Sequence, residues 1–127
     1  DLWLVFATWF TLAAPQIAAL SDLEQDHVTH ACELETSMIL RLRPELVDLA
    51  AAQGAIVPFE SAFYCPDSRR PSRVAVARPI DHVSVTGGYG HPELATEGKG
   101  ESLFAAATAE VVACVREIAA WETFDAR

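Results

Sequence analysis

The chain has 127 residues, 51% of them hydrophobic and 21% charged, a composition that supports an ordinary buried core and does not fit a disordered segment. Its 18 acidic and 9 basic side chains give a formal charge of -9, which repels a phosphate backbone, so nucleic acid is not an expected partner. Three cysteines (Cys32, Cys65 and Cys114), odd in number and with no C-x-x-C pair, indicate neither a disulfide framework nor a zinc knuckle and fit a reducing, cytoplasmic setting.

In chain order, the sequence opens on Asp1 and its only methionine is Met38, which leads us to expect further sequence upstream. Residues 2–20 are uncharged, but Pro15 and Gln16 interrupt the run and no basic residue flanks it, so no membrane span is expected. Within it, residues 2–10 form a continuous apolar, aromatic-rich stretch, the pattern of a central parallel strand covered on both faces by helices. The acidic residues 21–26 read as a solvated connection. From Glu33 the spacing becomes helical, with Leu34, Met38, Ile39 and Leu42 on one stripe and Pro44 marking the boundary, followed by a short helix with that proline at its first position.

Residues 54–73, with Pro58, Pro66 and Pro71, have no clear period and read as a long irregular segment. Residues 74–77 and 82–85 are strand-like, and residues 86–90 make a glycine-rich exit, read as a plain turn. From about Ala95 to Trp121, the residues Leu103, Ala107, Val111, Cys114, Val115, Ile118 and Trp121 recur at helical spacing and predict a long amphipathic helix. Strands and helices in this order predict an α/β layered fold.

The densest set of candidate metal ligands is His27, His30, Glu33 and Glu35, imidazoles and carboxylates of the kind that hold Zn, Mn or Fe in hydrolases. On one continuous helix His30 and Glu35 would lie about 140° apart, so both reach one site only if His30 sits in the loop before the helix. A plainer reading stands beside this: carboxylates in a first turn offset the helix dipole, and histidines near caps are common. Trp9 reads equally as a core or a pocket residue. Cys65 has no evident catalytic partner.

The run from His30 to Leu40, continuing through Leu42-Arg43-Pro44-Glu45-Leu46-Val47, resembles a creatininase-family segment. There, His-Ala/Gly-Gly, two variable residues and Glu-Thr-Ser precede a helix ending in Arg/Tyr-Pro-x-Leu-Val. Residues 90–100, Gly-His-Pro-Glu-Leu-Ala-Thr-Glu-Gly-Lys-Gly, resemble the family's second signature at the start of its last helix. Cys32 stands where glycine is usual, His91 replaces an aspartate, and Glu97-Gly98 displaces a glutamate expected before Lys99.

The resemblance implies a three-layer α/β/α fold with a mostly parallel sheet, residues 1–127 being the C-terminal part of a single domain that is incomplete on its N-terminal side. It implies that Glu35 is a ligand in a centre of two divalent metal ions (Zn, Mn or Fe), that His30 is the catalytic pocket histidine, and that Trp9 is a substrate-binding tryptophan. The activity implied is hydrolysis of a C–N bond in a small amide, lactam or formamide by a homo-oligomer. The remaining metal ligands belong to N-terminal motifs that these 127 residues lack, so the chain alone is expected to be inactive. The rival expectation is a non-catalytic α/β remnant or assembly module.

Overall fold

The computed structural model describes residues 3–25, 28–55, 57, 61–65 and 71–121. Four helices organise them: α1 (Trp9–Leu12), α2 (Ala14–Ala18), α3 (Glu33–Leu42) and α4 (Glu97–Ala119). Short 3-10 turns lie at Pro44–Leu46, Ile80–His82 and Pro92–Leu94. No helix of the described residues is long and apolar enough to cross a membrane.

The strand expected over residues 2–10 is not formed in its described part. Residues 3–8 have no regular structure, and the chain turns into α1 at Trp9. A strand is held by a neighbour's backbone donors and acceptors, and among the described residues no strand pairing includes this run. Pro15 then enforces a restart: it has no N–H to continue α1 and sits in the first turn of α2, where none is needed. The strand-like runs at residues 74–77 and 82–85 form no strand either: the first is irregular, and the second begins on the last residue of the Ile80–His82 turn. The only extended pairing among the described residues is an antiparallel bridge between His30 and Tyr89.

The helices follow the sequence more closely. α3 ends before Pro44 as expected, and the proline opens a single 3-10 turn in place of the short helix. α4 starts where Thr96, extended and outside the helix, accepts a hydrogen bond from the Lys99 amide at 3.2 Å through its hydroxyl oxygen. The described residues of the 54–73 segment have no regular structure; the rest of it lies outside the described set.

α3 packs chiefly on α4, and the predicted stripe holds in part: Leu34 is buried and Met38 packs against the core, but Ile39 and Leu42 are exposed, and Glu33, Ser37 and Leu40 are buried instead. Close backbone approach explains the rotation. A Cβ on Gly100 would stand 2.0 Å from the Ser37 carbonyl oxygen, so glycine lets α4 lie directly against the Ser37 face. Ser37 Oγ in turn accepts the Thr96 amide at 3.2 Å, and Arg41 caps the contact over the Phe104 ring at 5.2 Å. Ala13, Ile17, Val28, Cys32, Leu34 and Leu103 form the buried cluster, with Trp9, Phe10, Leu20, Leu23 and Met38 packed against it. Only the first half of α4 is buried; Val111, Val112 and Val115 farther along are exposed.

Candidate functional site

The loop before α3 and the glycine-rich turn before Pro92 meet at the His30–Tyr89 bridge, where the Tyr89 amide donates to the His30 carbonyl at 2.8 Å and Thr29 Oγ1 donates to the Tyr89 carbonyl. Gly90, at φ +149°, passes so close that a Cβ there would meet Cys32 Cβ at 2.6 Å. His30 therefore lies outside the helix, two residues before its N-cap Cys32, as a shared site with Glu35 requires. Ala31 between them adopts φ +46°, a left-handed conformation costly for a residue with a Cβ. Its amide donates to Glu35 Oε2 at 2.6 Å, so the third residue of the helix reaches back to hold the turn that precedes it.

His30, Glu35 and Trp9, three of the residues singled out in the sequence for chemistry, line one cavity of about 580 Å³. Met38, Ile39, Leu46, Val47 and Pro92 give it apolar walls, and Thr36, Asp48, Gln53 and Thr86 add polar atoms. Trp9 is half-buried; it packs on the core cluster and faces the cavity, so its two sequence readings describe one position. Asp48 and Gln53 carried no sequence signal, because each reaches the cavity only through the turn that follows α3. Asp48 Oδ1 accepts the Ala50 and Ala51 amides there, at 3.0 and 3.2 Å.

Glu33, grouped in the sequence with the candidate ligands, does not line the cavity. It is fully buried, 2.5 Å from Lys99 Nζ, and accepts the Glu24 amide at 3.1 Å and the Gln25 amide at 2.6 Å. Lys99 also donates to Glu24 at 3.0 Å and to the Leu94 carbonyl at 2.8 Å. Burial disfavours the Lys99 charge, but the hydrogen bonds to Glu33 and Glu24 outweigh it and hold its pKa above the ordinary lysine value. Gln25, also buried, accepts the Glu33 and His91 amides at 3.2 and 2.9 Å and so ties the start of α3 to the second motif. Tyr89 is kept above the usual tyrosine range by burial first and Tyr64 second, against Arg78, so its hydroxyl stays neutral near pH 7.

His27 and Asp26 lie outside the described residues. Among the described ones, no group of three or more His, Cys, Asp or Glu side chains is placed to hold a metal ion. Glu35 and His30 offer this cavity a carboxylate and an imidazole, short of the about three protein ligands a catalytic metal takes. The donor set fits part of a metal centre and does not complete one.

A family model for creatininase (creatinine amidohydrolase) matches residues 2–115. A crystal structure of a provisionally assigned creatinine amidohydrolase from Bacteroides fragilis NCTC 9343 is similar at 31% identity and a TM-score of 0.69. The match covers 94% of this chain and 44% of that one, so the chain spans less than half of that protein's length. A search of curated proteins finds no match. The likeness assigns the chain an α/β fold, of which the described residues present the helical part.

Proposed function

The chain belongs to the creatininase family, and from that premise we propose that it carries part of the site of a metal-dependent amidohydrolase acting on a C–N bond of a small amide, lactam or formamide. The observation that carries this proposal is the convergence of His30, Glu35 and Trp9 on one cavity. Amide hydrolysis needs a proton taken from the attacking water and one delivered to the leaving nitrogen. An imidazole at the cavity wall can take the first proton and then hand it to the leaving nitrogen, and His30 is exposed there. The Trp9 ring and the aliphatic side chains that line the cavity with it suit a small, flat, largely uncharged substrate.

In this proposal Glu35 supplies one ligand to a pair of divalent ions (Zn, Mn or Fe), and the other ligands come from sequence outside these 127 residues, which also completes a three-layer α/β/α domain with a mostly parallel sheet. A homo-oligomer belongs to the same proposal, supported by the exposed apolar side chains of Leu4 and Phe6. A second reading, an assembly module without chemistry, is favoured by one observation: both first-turn carboxylates of α3 anchor backbone amides, Glu33 those of Glu24 and Gln25, and Glu35 that of Ala31.

Three measurements decide between them. The coding sequence upstream of Asp1 should contain His-, Asp- and Glu-bearing ligand motifs, and the protein expressed with that sequence should release amine from a panel of small amides and formamides. Glu35→Gln in that protein should lose at least one equivalent of metal by elemental analysis. An uninterrupted upstream sequence without such motifs rules against the enzyme, and unchanged metal content in the variant rules against Glu35 as a ligand.

A further inference from the structure

We infer that Glu35 is a positioning residue for His30: through its hydrogen bond to the Ala31 amide it stabilises the left-handed turn that presents the imidazole to the cavity. Three observations meet in this turn. Ala31 has φ +46°, a conformation that a Cβ disfavours and that glycine adopts freely. Its amide would be an unpaired donor ahead of the helix, and Glu35 Oε2 accepts it at 2.6 Å, a charge-assisted bond. One residue earlier, the His30 carbonyl accepts the Tyr89 amide at 2.8 Å. The His30 backbone is thus clamped on one side by the Tyr89 loop and on the other by the Ala31 turn, and only the side chain is left to face the cavity.

The alternative is that Glu35 serves only the helix, as any first-turn carboxylate does by offsetting the dipole. The two differ in what they act on. A dipole effect is spread over the first turn of α3, whereas the hydrogen bond acts on Ala31 and, through it, on His30. Glu35 Oε2 is the atom engaged by Ala31. The importance of the device for turnover rests on the proposal above that His30 moves the proton; its existence does not.

The test reads amide hydrogen exchange at Ala31, Tyr89 and Thr36 in this chain, with chelator present so that any role of Glu35 in holding metal is silent. NMR, or mass spectrometry with fragmentation to single residues, gives the readout. Glu35→Ala should speed exchange at Ala31 about tenfold and at Tyr89 several-fold, while Thr36, whose amide bonds to Cys32 within the helix at 2.9 Å, changes little. Glu35→Gln, which keeps an acceptor oxygen, should restore Ala31 and Tyr89 to near wild-type rates. Adding Ala31→Gly to Glu35→Ala should restore Tyr89 protection but not protection at position 31, because glycine takes the turn unaided while the acceptor is still missing.

Equal loss of protection at Thr36 and Tyr89 in Glu35→Ala would overturn the inference in favour of a plain helix-end effect. So would unchanged exchange at Ala31, or a failure of Ala31→Gly to restore Tyr89. Glu35→Gln also separates this inference from the metal-ligand proposal: it preserves the turn in chelator, and it removes metal from the longer protein only if Glu35 is a ligand.

Discussion

At the junction of α3 and α4 a carboxylate, Glu33, is 0% exposed, whereas in the segment before α1 two of the most apolar side chains, Leu4 and Phe6, stand 91% and 94% exposed. The usual sorting of polar outside and apolar inside is reversed in both places, for opposite reasons. Glu33 is buried because every demand of its carboxylate is met inside, by Lys99 and by the amides of Glu24 and Gln25. Leu4 and Phe6 are exposed because nothing described lies over them; edge-to-face contact of Trp3 with Trp121, centroids 5.5 Å apart, is what the structure shows for this run. The polar junction is finished and holds the cavity's frame, while the apolar segment is left exposed.

The largest effect should come from breaking the finished region. Lys99→Met leaves Glu33 buried without its cation and should cost about 3–5 kcal/mol in chemical denaturation, whereas Glu33→Met combined with Lys99→Met should recover most of that loss. The pair also sets a pH dependence. Because the Lys99 pKa is raised in the folded protein, its stabilisation is fully present below the ordinary lysine value of about 10.4 and is lost as pH rises through the higher folded value. Melts between pH 9 and 12 should show a larger loss in wild type than in Lys99→Met, in which only the part due to the raised Tyr89 pKa remains.

Next in size is the helix contact. Gly100→Ala places a Cβ 2.0 Å from the Ser37 carbonyl oxygen and 2.8 Å from Arg41 Cβ, and the shift needed to relieve it should cost about 1–3 kcal/mol. A smaller loss would mean that α3 and α4 separate easily and that the junction is not rigid. Smallest is the unfinished region: Phe6→Ser should change stability by less than about 0.5 kcal/mol. If a second copy covers residues 3–6, the same substitution should weaken self-association by sedimentation. A large stability loss without any change in association would show that Phe6 is already buried in solution and that the comparison drawn here is wrong.

The sequence announced α4 through its repeat of apolar residues and the end of α3 through Pro44, because both signals are local and need no partner. It also brought out Trp9, His30 and Glu35, which line one cavity, although their chemical roles rest on resemblance alone. Three features were not legible. Residues 2–10 have the composition of a buried strand, but a strand exists only beside another, and composition cannot supply the neighbour. The buried face of α3 turned toward Glu33 and Ser37 because Gly100 and Lys99, more than 60 positions away, fit that face better than they fit Ile39 or Leu42. Glu33 looked like a metal ligand for want of any sign that a lysine so distant would reach it. A clue did exist: Lys99-Gly100 follows Thr96 in the second motif, and a small residue beside a cation at a helix start is what close packing on a buried acid requires.

The central claim is that His30 is free to do chemistry because the polar junction, not His30 itself, holds the structure together. His30→Ala in the protein carrying its upstream sequence tests this most directly, with denaturation, metal content and amide hydrolysis measured on the same preparation. We predict stability within about 0.5 kcal/mol of wild type, unchanged metal content and turnover reduced by about 10² to 10⁴. Wild-type turnover, or a loss of activity that merely follows a loss of folding, would contradict it.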